Sequence, residues 1–129
     1  MEENKIILVV EDEEKIRNVI SLYLKKEGFK VYETGNGLEA ITLTEKLKPD
    51  LIILDIMLPG ISGYEICRRI KSNEGTKNII IVILSAKGQE CEKSEGYNVG
   101  ADLYETKPFS PKRLISSVKA VINKSQSYT

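Results

Sequence analysis

The sequence contains no histidine, and only two cysteines, among its 129 residues. Without histidine, neither a Ser-His-Asp nor a Cys-His mechanism can be assembled within one chain, and the imidazole ligation typical of zinc or copper is excluded too. Cys67 and Cys91 stand far apart and form no C-x-x-C pair, so neither a thioredoxin-like nor a zinc site is suggested; both are expected to be free thiols, buried or partly buried. Net charge is lacking as well, because 19 basic and 19 acidic residues cancel. That removes the broad positive field needed to grip nucleic acid or an anionic membrane, so no direct binding to either is expected. No apolar run approaches the roughly 20 residues of a membrane span. The opening MEENK also lacks the basic-then-apolar order of a signal peptide, and a cytoplasmic location is predicted.

What the chain does contain is an alternation of two periods. Hydrophobic residues make up 41% and charged residues 29%, and there is no internal repeat or low-complexity tract. The length suits one domain, expected over residues 1–124, followed by a polar tail at 125–129. Short apolar runs read as strands: IILVV (6–10), KVYET (30–34), LIIL (51–54), IIIVIL (79–84) and the weaker ADLYE (101–105). Between them apolar residues recur every three or four positions. The first helix is predicted over 13–27, with Ile16, Val19, Ile20, Tyr23 and Leu24 on one stripe and Gly28 as its stop. Others are predicted near 37–47, 63–72 and 89–98. The last is expected over 111–122, with Ser110 as N-cap and Pro111 in its first turn. The helix at 89–98, with few apolar residues and Gly96, is expected to dock least firmly. Five strands alternating with five helices define an α/β protein with a doubly wound, five-stranded parallel sheet. Ligands of such sheets bind at the carboxyl ends of the strands.

The residues after those strands are therefore the candidates: Glu11 and Asp12, Asp55, Ser85 and Ala86, and Thr106, Lys107 and Pro108. Each has a plain alternative taken alone. Asp12 suits a helix N-cap, Ser85 a cap or a turn, and Lys107 a solvated surface. Asp55 is harder to set aside, because it closes LIIL and runs into the turn of LIILDIMLPG, and a carboxylate buried without a partner costs several kcal/mol. Together the plain readings weaken. Three carboxylates on one rim repel one another unless a hard divalent cation sits among them, and oxygen ligands suit magnesium. A lysine and a hydroxyl would serve the anion that such a metal also binds. This chemistry is phosphoryl transfer, with Asp55 as the best candidate nucleophile. With neither histidine nor a glycine-rich phosphate loop in the chain, the phosphoryl group must come from another molecule.

The motifs VVEDEEKIR, LIILDIMLPGISGYEICRRIK, IVILSAKG and GADLYETKPF, in this order and spacing, resemble the response-regulator receiver domains of two-component signalling, over nearly the whole chain. The resemblance implies the flavodoxin-like (βα)5 fold with strand order 2-1-3-4-5. It implies a signalling phosphoacceptor rather than an enzyme, phosphorylated on Asp55 by a sensor histidine kinase or a histidine phosphotransfer protein. Glu11, Asp12 and Asp55 would hold magnesium, for which manganese can substitute, together with the backbone carbonyl of Met57. Ser85 would be the switch hydroxyl, with Ala86 and Lys107 also at the phosphoryl group, and Tyr104 the aromatic that rotates inward. Lys107-Pro108 would be a cis peptide, and Met57 and Lys87 would tune hydrolysis. Glu11 stands where aspartate is commoner, which leaves open whether it meets the metal directly or through water. Ser85 stands where threonine is commoner and lacks a methyl that restricts the rotamer.

The output would be a downstream effector protein or a fused domain, and the chain a monomer or a phosphorylation-dependent dimer. Its polar end, KSQSYT, fits either a stand-alone receiver or a piece of a longer regulator. Three rivals differ in class. A flavodoxin-like electron carrier would want a phosphate-binding loop where EDEEK stands. A haloacid-type phosphatase would carry a second acid at the position of Met57. A phosphorylation-independent protein-binding module would be expected to have lost the acceptor, an acid or the lysine, and all are present.

Overall fold

A computed structural model describes residues 5–86, 100–107 and 110–126. The elements follow in the order β1 (Ile6–Val10), α1 (Glu14–Lys26), β2 (Lys30–Thr34), α2 (Gly37–Leu47), β3 (Leu51–Asp55), α3 (Gly63–Ser72), β4 (Ile80–Ala86), β5 (Leu103–Lys107) and a C-terminal helix (Pro111–Gln126). The five strands form one parallel sheet in the order β2-β1-β3-β4-β5, as the resemblance implies. The helix expected at 89–98, together with Lys87, Cys91 and Pro108, lies outside the described residues.

Strand period and helix period meet in two apolar layers. Residues alternate across a strand, so Leu8, Val10, Ile52, Leu54, Ile81 and Ile83 face α2 and α3, where they pack with Ala40, Ile66, Cys67 and Ile70. The intervening Ile7, Val9, Leu51, Ile53, Val82 and Leu84 face α1 and the C-terminal helix, against Ile20, Leu24, Leu114, Ile115, Val118 and Ile122. Both faces of the central strands are covered, so β3 reads as continuous LIIL and each of these four side chains is fully enclosed. Full burial of such a side chain contributes roughly 2 kcal/mol, so the sheet centre is where the fold is most firmly anchored. Cys67 belongs to this core, as expected, and burial pushes its thiol up to about 11, which leaves it protonated and inert.

Three strands run further than the apolar runs suggest. β3 includes Asp55, β4 extends through Ser85 and Ala86, and β5 spans Leu103–Lys107 instead of 101–105. The polar residues expected just beyond these strands are their last rungs, because the ladder continues with Asp55 opposite Leu84, Ser85 opposite Thr106 and Ala86 opposite Lys107. Backbone pairing is indifferent to side-chain polarity, so an apolar run understates a strand that ends in a site.

The helix ends also differ in detail. Asp12 does not cap α1: Glu13 stands at the N-cap without a side-chain bond of its own, and Glu11 Oε2 accepts the Glu13 N–H at 3.0 Å. Val19 is 41% exposed, off the buried line of Ile16, Ile20 and Leu24, and Ser21 is buried in its stead. Ser110 does cap the C-terminal helix, accepting the Arg113 N–H at 3.4 Å. That helix continues through Gln126, past the expected end at Ile122 and into the stretch expected as tail.

Candidate functional site

The carboxyl ends of β1, β3 and β5 bring Glu11, Asp55 and Lys107 together although 96 positions separate the first from the last. Lys107 Nζ lies 2.9 Å from Glu11 Oε1 and 3.3 Å from Asp55 Oδ2. Glu11 is fully buried and Asp55 nearly so, at 3% exposure. The contact to Asp55 is aligned as a hydrogen bond, and the one to Glu11 is a close ion pair. Asp12 is exposed at the mouth, and carboxylate oxygens of Glu11, Asp12 and Asp55 lie within 4.8 Å of one another. A cleft of about 650 Å³ opens beside them, lined by Asp12 and by the loop from Ile56 to Ser62 that carries Met57.

The electrostatics follow from that crowding. Burial, together with the charge of Glu11, pushes the Asp55 carboxyl up to about 6, while the Lys107 ammonium and the Met57 N–H, 3.3 Å from Oδ1, pull it down. Lys107 feels the reverse balance: burial alone would lower it, but Glu11 and Asp55 outweigh burial and hold the ammonium above the ordinary lysine range. Among the described residues three acidic side chains crowd about a single ammonium. The shortfall of two positive charges, presented by hard oxygen donors, is what a divalent cation such as magnesium would make good.

Other expected residues sit in the same quarter of the molecule. Ser85 is buried at the end of β4, and its Oγ has no hydrogen-bond partner among the described residues. A buried hydroxyl without a partner is uncommon and fits a group awaiting an acceptor. Tyr104 is buried in β5 and its hydroxyl lies 2.8 Å from that of Tyr64. Met57 is 63% exposed at the lip of the cleft. Ala86 is opposite Lys107 in the ladder. Lys87 and the Lys107-Pro108 peptide bond are not described.

Three residues escaped the sequence reading. Arg17 donates from Nη1 to the Glu11 carbonyl at 2.8 Å and lies 3.4 Å from Glu33, tying the acid-bearing loop to β2. Tyr64 meets Tyr104. Gly63 is the third, since a Cβ there would lie 2.6 Å from Asp55 O and 2.8 Å from Ile56 Cα, while its N–H donates to Ile56 O at 2.9 Å. α3 therefore starts directly against the backbone of Asp55, and the preceding Pro59-Gly60, with Gly60 at φ +85°, swings the chain into that approach. The SG pair at the start of a helical stripe was the available signal for Gly63. Gly63→Ala is expected to cost roughly 2 kcal/mol by overpacking and to displace Asp55. Urea unfolding checks this, with the midpoint lowered to match that loss.

A parallel sheet with a rim of acids and a facing lysine recurs among known proteins. Residues 7–119 match the family model of the response regulator receiver domain, and the chain belongs to that family. The phosphate regulon transcriptional regulatory protein PhoB of Pseudomonas aeruginosa is 48% identical over 120 residues, which cover 93% of this chain and 52% of PhoB. The chain spans about half the length of the curated relatives it matches. Among solved structures, the chemotaxis response regulator CheY4 of Vibrio cholerae superposes with a TM-score of 0.86 at 30% identity, covering 91% of this chain and 98% of that one. The receiver domain of the sensor histidine kinase PA1611 of Pseudomonas aeruginosa, solved with a magnesium ion coordinated in its active site cleft, gives 0.84 at 28% identity, covering 92% and 98%. Among the described residues no helix is long and apolar enough to cross a membrane.

Proposed function

We propose that this receiver domain takes a phosphoryl group onto Asp55 from a partner histidine kinase or histidine phosphotransfer protein, in a magnesium-dependent reaction, and acts as a signalling phosphoacceptor rather than an enzyme with a released product. The observation that carries the reading is the nearly buried Asp55 carboxylate, 3.3 Å from Lys107 and within 4.8 Å of two further acids. A carboxylate oxygen of Asp55 attacks phosphorus, a P–O bond to Asp55 forms, and the bond from phosphorus to the donor breaks. The donor leaves as an imidazole or, from acetyl phosphate, as acetate, and no electrons change owner. Glu11, Asp12, Asp55 and the Met57 carbonyl would hold the magnesium, which when bound neutralises charge on the transferring group. Lys107 keeps its proton and supplies positive charge to the phosphoryl oxygens. Ser85, whose buried hydroxyl lacks a partner among the described residues, donates to one of them. That movement, with Tyr104 inward, would alter the surface around β5 and the C-terminal helix, where an effector protein or fused output domain reads it; the transcriptional regulators among the relatives support such an output.

Incubation with acetyl phosphate and magnesium tests the reading. The expected result is one added phosphoryl group per chain, released by hydroxylamine as an acyl phosphate is; no label, or label at another residue, overturns it. Met57, exposed and apolar, cannot orient an attacking water and should keep the acyl phosphate long-lived. Met57→Asn is therefore expected to shorten its half-life several-fold, and decay no faster than in the unsubstituted protein would remove Met57 from this role.

A further inference from the structure

The hydroxyls of Tyr64 and Tyr104 lie 2.8 Å apart across 40 positions of sequence, with both rings inside the apolar layer between the sheet and α3. Phenolic hydroxyls carried into such surroundings are held by hydrogen bonds, so turning either ring outward gives up this bond. The two residues belong to segments with different duties. Tyr104 is opposite Ile83 in the ladder, two residues before the rung that Ser85 forms with Thr106. Tyr64 follows Gly63, whose N–H is bonded to Ile56 O and whose Cα leaves no room for a side chain against Asp55. The backbone of Asp55 and Ile56 therefore abuts the residue that precedes Tyr64. Ser85 Oγ, by contrast, bonds to neither tyrosine.

We propose that Tyr64 is a positioning residue that holds Tyr104 inward through the hydroxyl pair, giving the Asp55 segment a connection to β5 that does not pass through Ser85. The geometry stands by itself, while the signalling consequence rests on the proposed phosphorylation of Asp55.

Fluorine NMR of the full chain labelled with 3-fluorotyrosine tests this, with the Tyr104 resonance assigned by Tyr104→Phe and its exposure read from broadening by a soluble paramagnet. In metal-free, donor-free protein, Tyr64→Phe is expected to raise the outward-to-inward ratio of Tyr104 roughly five-fold, the worth of one neutral hydrogen bond. Tyr64→Leu serves as a second variant with the same expectation. A Tyr104 resonance with unchanged position and broadening in both variants overturns the proposal. Affinity for beryllofluoride with magnesium, measured for Tyr64→Phe, Ser85→Ala and the double variant, tests the independence of the two connections. The separate fold-losses should multiply, and a double variant no weaker than Ser85→Ala would place Tyr64 on the Ser85 route and overturn a separate connection. Failure of the unsubstituted protein to bind beryllofluoride would count against the function proposed for Asp55, while the donor-free spectra still decide the role of Tyr64.

Discussion

Asp55→Asn is expected to abolish labelling by acetyl phosphate and magnesium while leaving the protein folded and, without metal, more stable. The amide has the same shape but offers no anionic oxygen to attack phosphorus, so the loss should be at least 100-fold and beyond detection in practice. The gain in stability follows from the raised carboxyl. Asp55 ionises at about 6 in the folded chain against an ordinary 3.8, so its charge is more costly in the fold than in the unfolded chain. A shift of this size corresponds to about 3 kcal/mol of penalty, absent below pH 3.8 and fully present above about 6. Asparagine removes the penalty, which is already net of the Lys107 attraction, and its amide oxygen still accepts from the ammonium, so a net gain of roughly 2 kcal/mol is expected at pH 7.5. The variant should also lose the dependence on pH between 4 and 6 that Asp55 confers, since the metal-free parent loses this part of its stability as pH rises through that window. Thermal melts across pH, with mass spectrometry of the labelled protein, check both halves. Labelling of the variant at the parental level would show that Asp55 is not the acceptor.

Replacing Lys107 by methionine should produce the largest loss of stability. Its ammonium is the cation that Glu11 and Asp55 share, and both acids are closed off from water. Removing one partner of a buried ion pair typically costs 3–5 kcal/mol, because the remaining charge has neither water nor counter-charge. For a chain of this size the melting temperature should fall by roughly 10–20 °C at pH 7.5. The pH dependence gives the loss its signature. Without the ammonium, Asp55 loses one of the influences that lower it, so its carboxyl rises above the parental value and takes up a proton more readily. Acidification through pH 6 should therefore restore much of the lost stability, and millimolar magnesium should restore it at pH 7.5. Labelling by acetyl phosphate should fall at least 100-fold even with magnesium, since the charge proposed to face the phosphoryl oxygens is gone. A Lys107→Met protein that melts like its parent at pH 7.5 would show that the acids do not depend on this ammonium.

The strand and helix pattern was legible because each element carries its own period. β1, β2, α2 and α3 fall where apolar spacing put them, and LIIL reads as a doubly covered strand from composition alone. Apolar runs understate the strands at the rim, where polar side chains continue a backbone ladder, as at Asp55, Ser85 and Lys107. Val19 belongs to the apolar stripe of α1, which is wide in sequence, whereas packing against the C-terminal helix uses only the narrower line through Ile20 and Leu24.

By itself the sequence determined the class of fold, the order of acids, hydroxyl and lysine along the strand ends, and the exclusion of histidine chemistry, since all of these depend on local period and residue type. The tertiary structure alone decided that Lys107 stands between Glu11 and Asp55, that Gly63 must be bare because Asp55 O occupies the place of its side chain, and that Tyr64 meets Tyr104. Each of these is a contact between distant segments, and its distance is set by strand register and helix docking. LIILDIMLPG announces a buried acid; what the acid is buried against was decided only when the strands aligned.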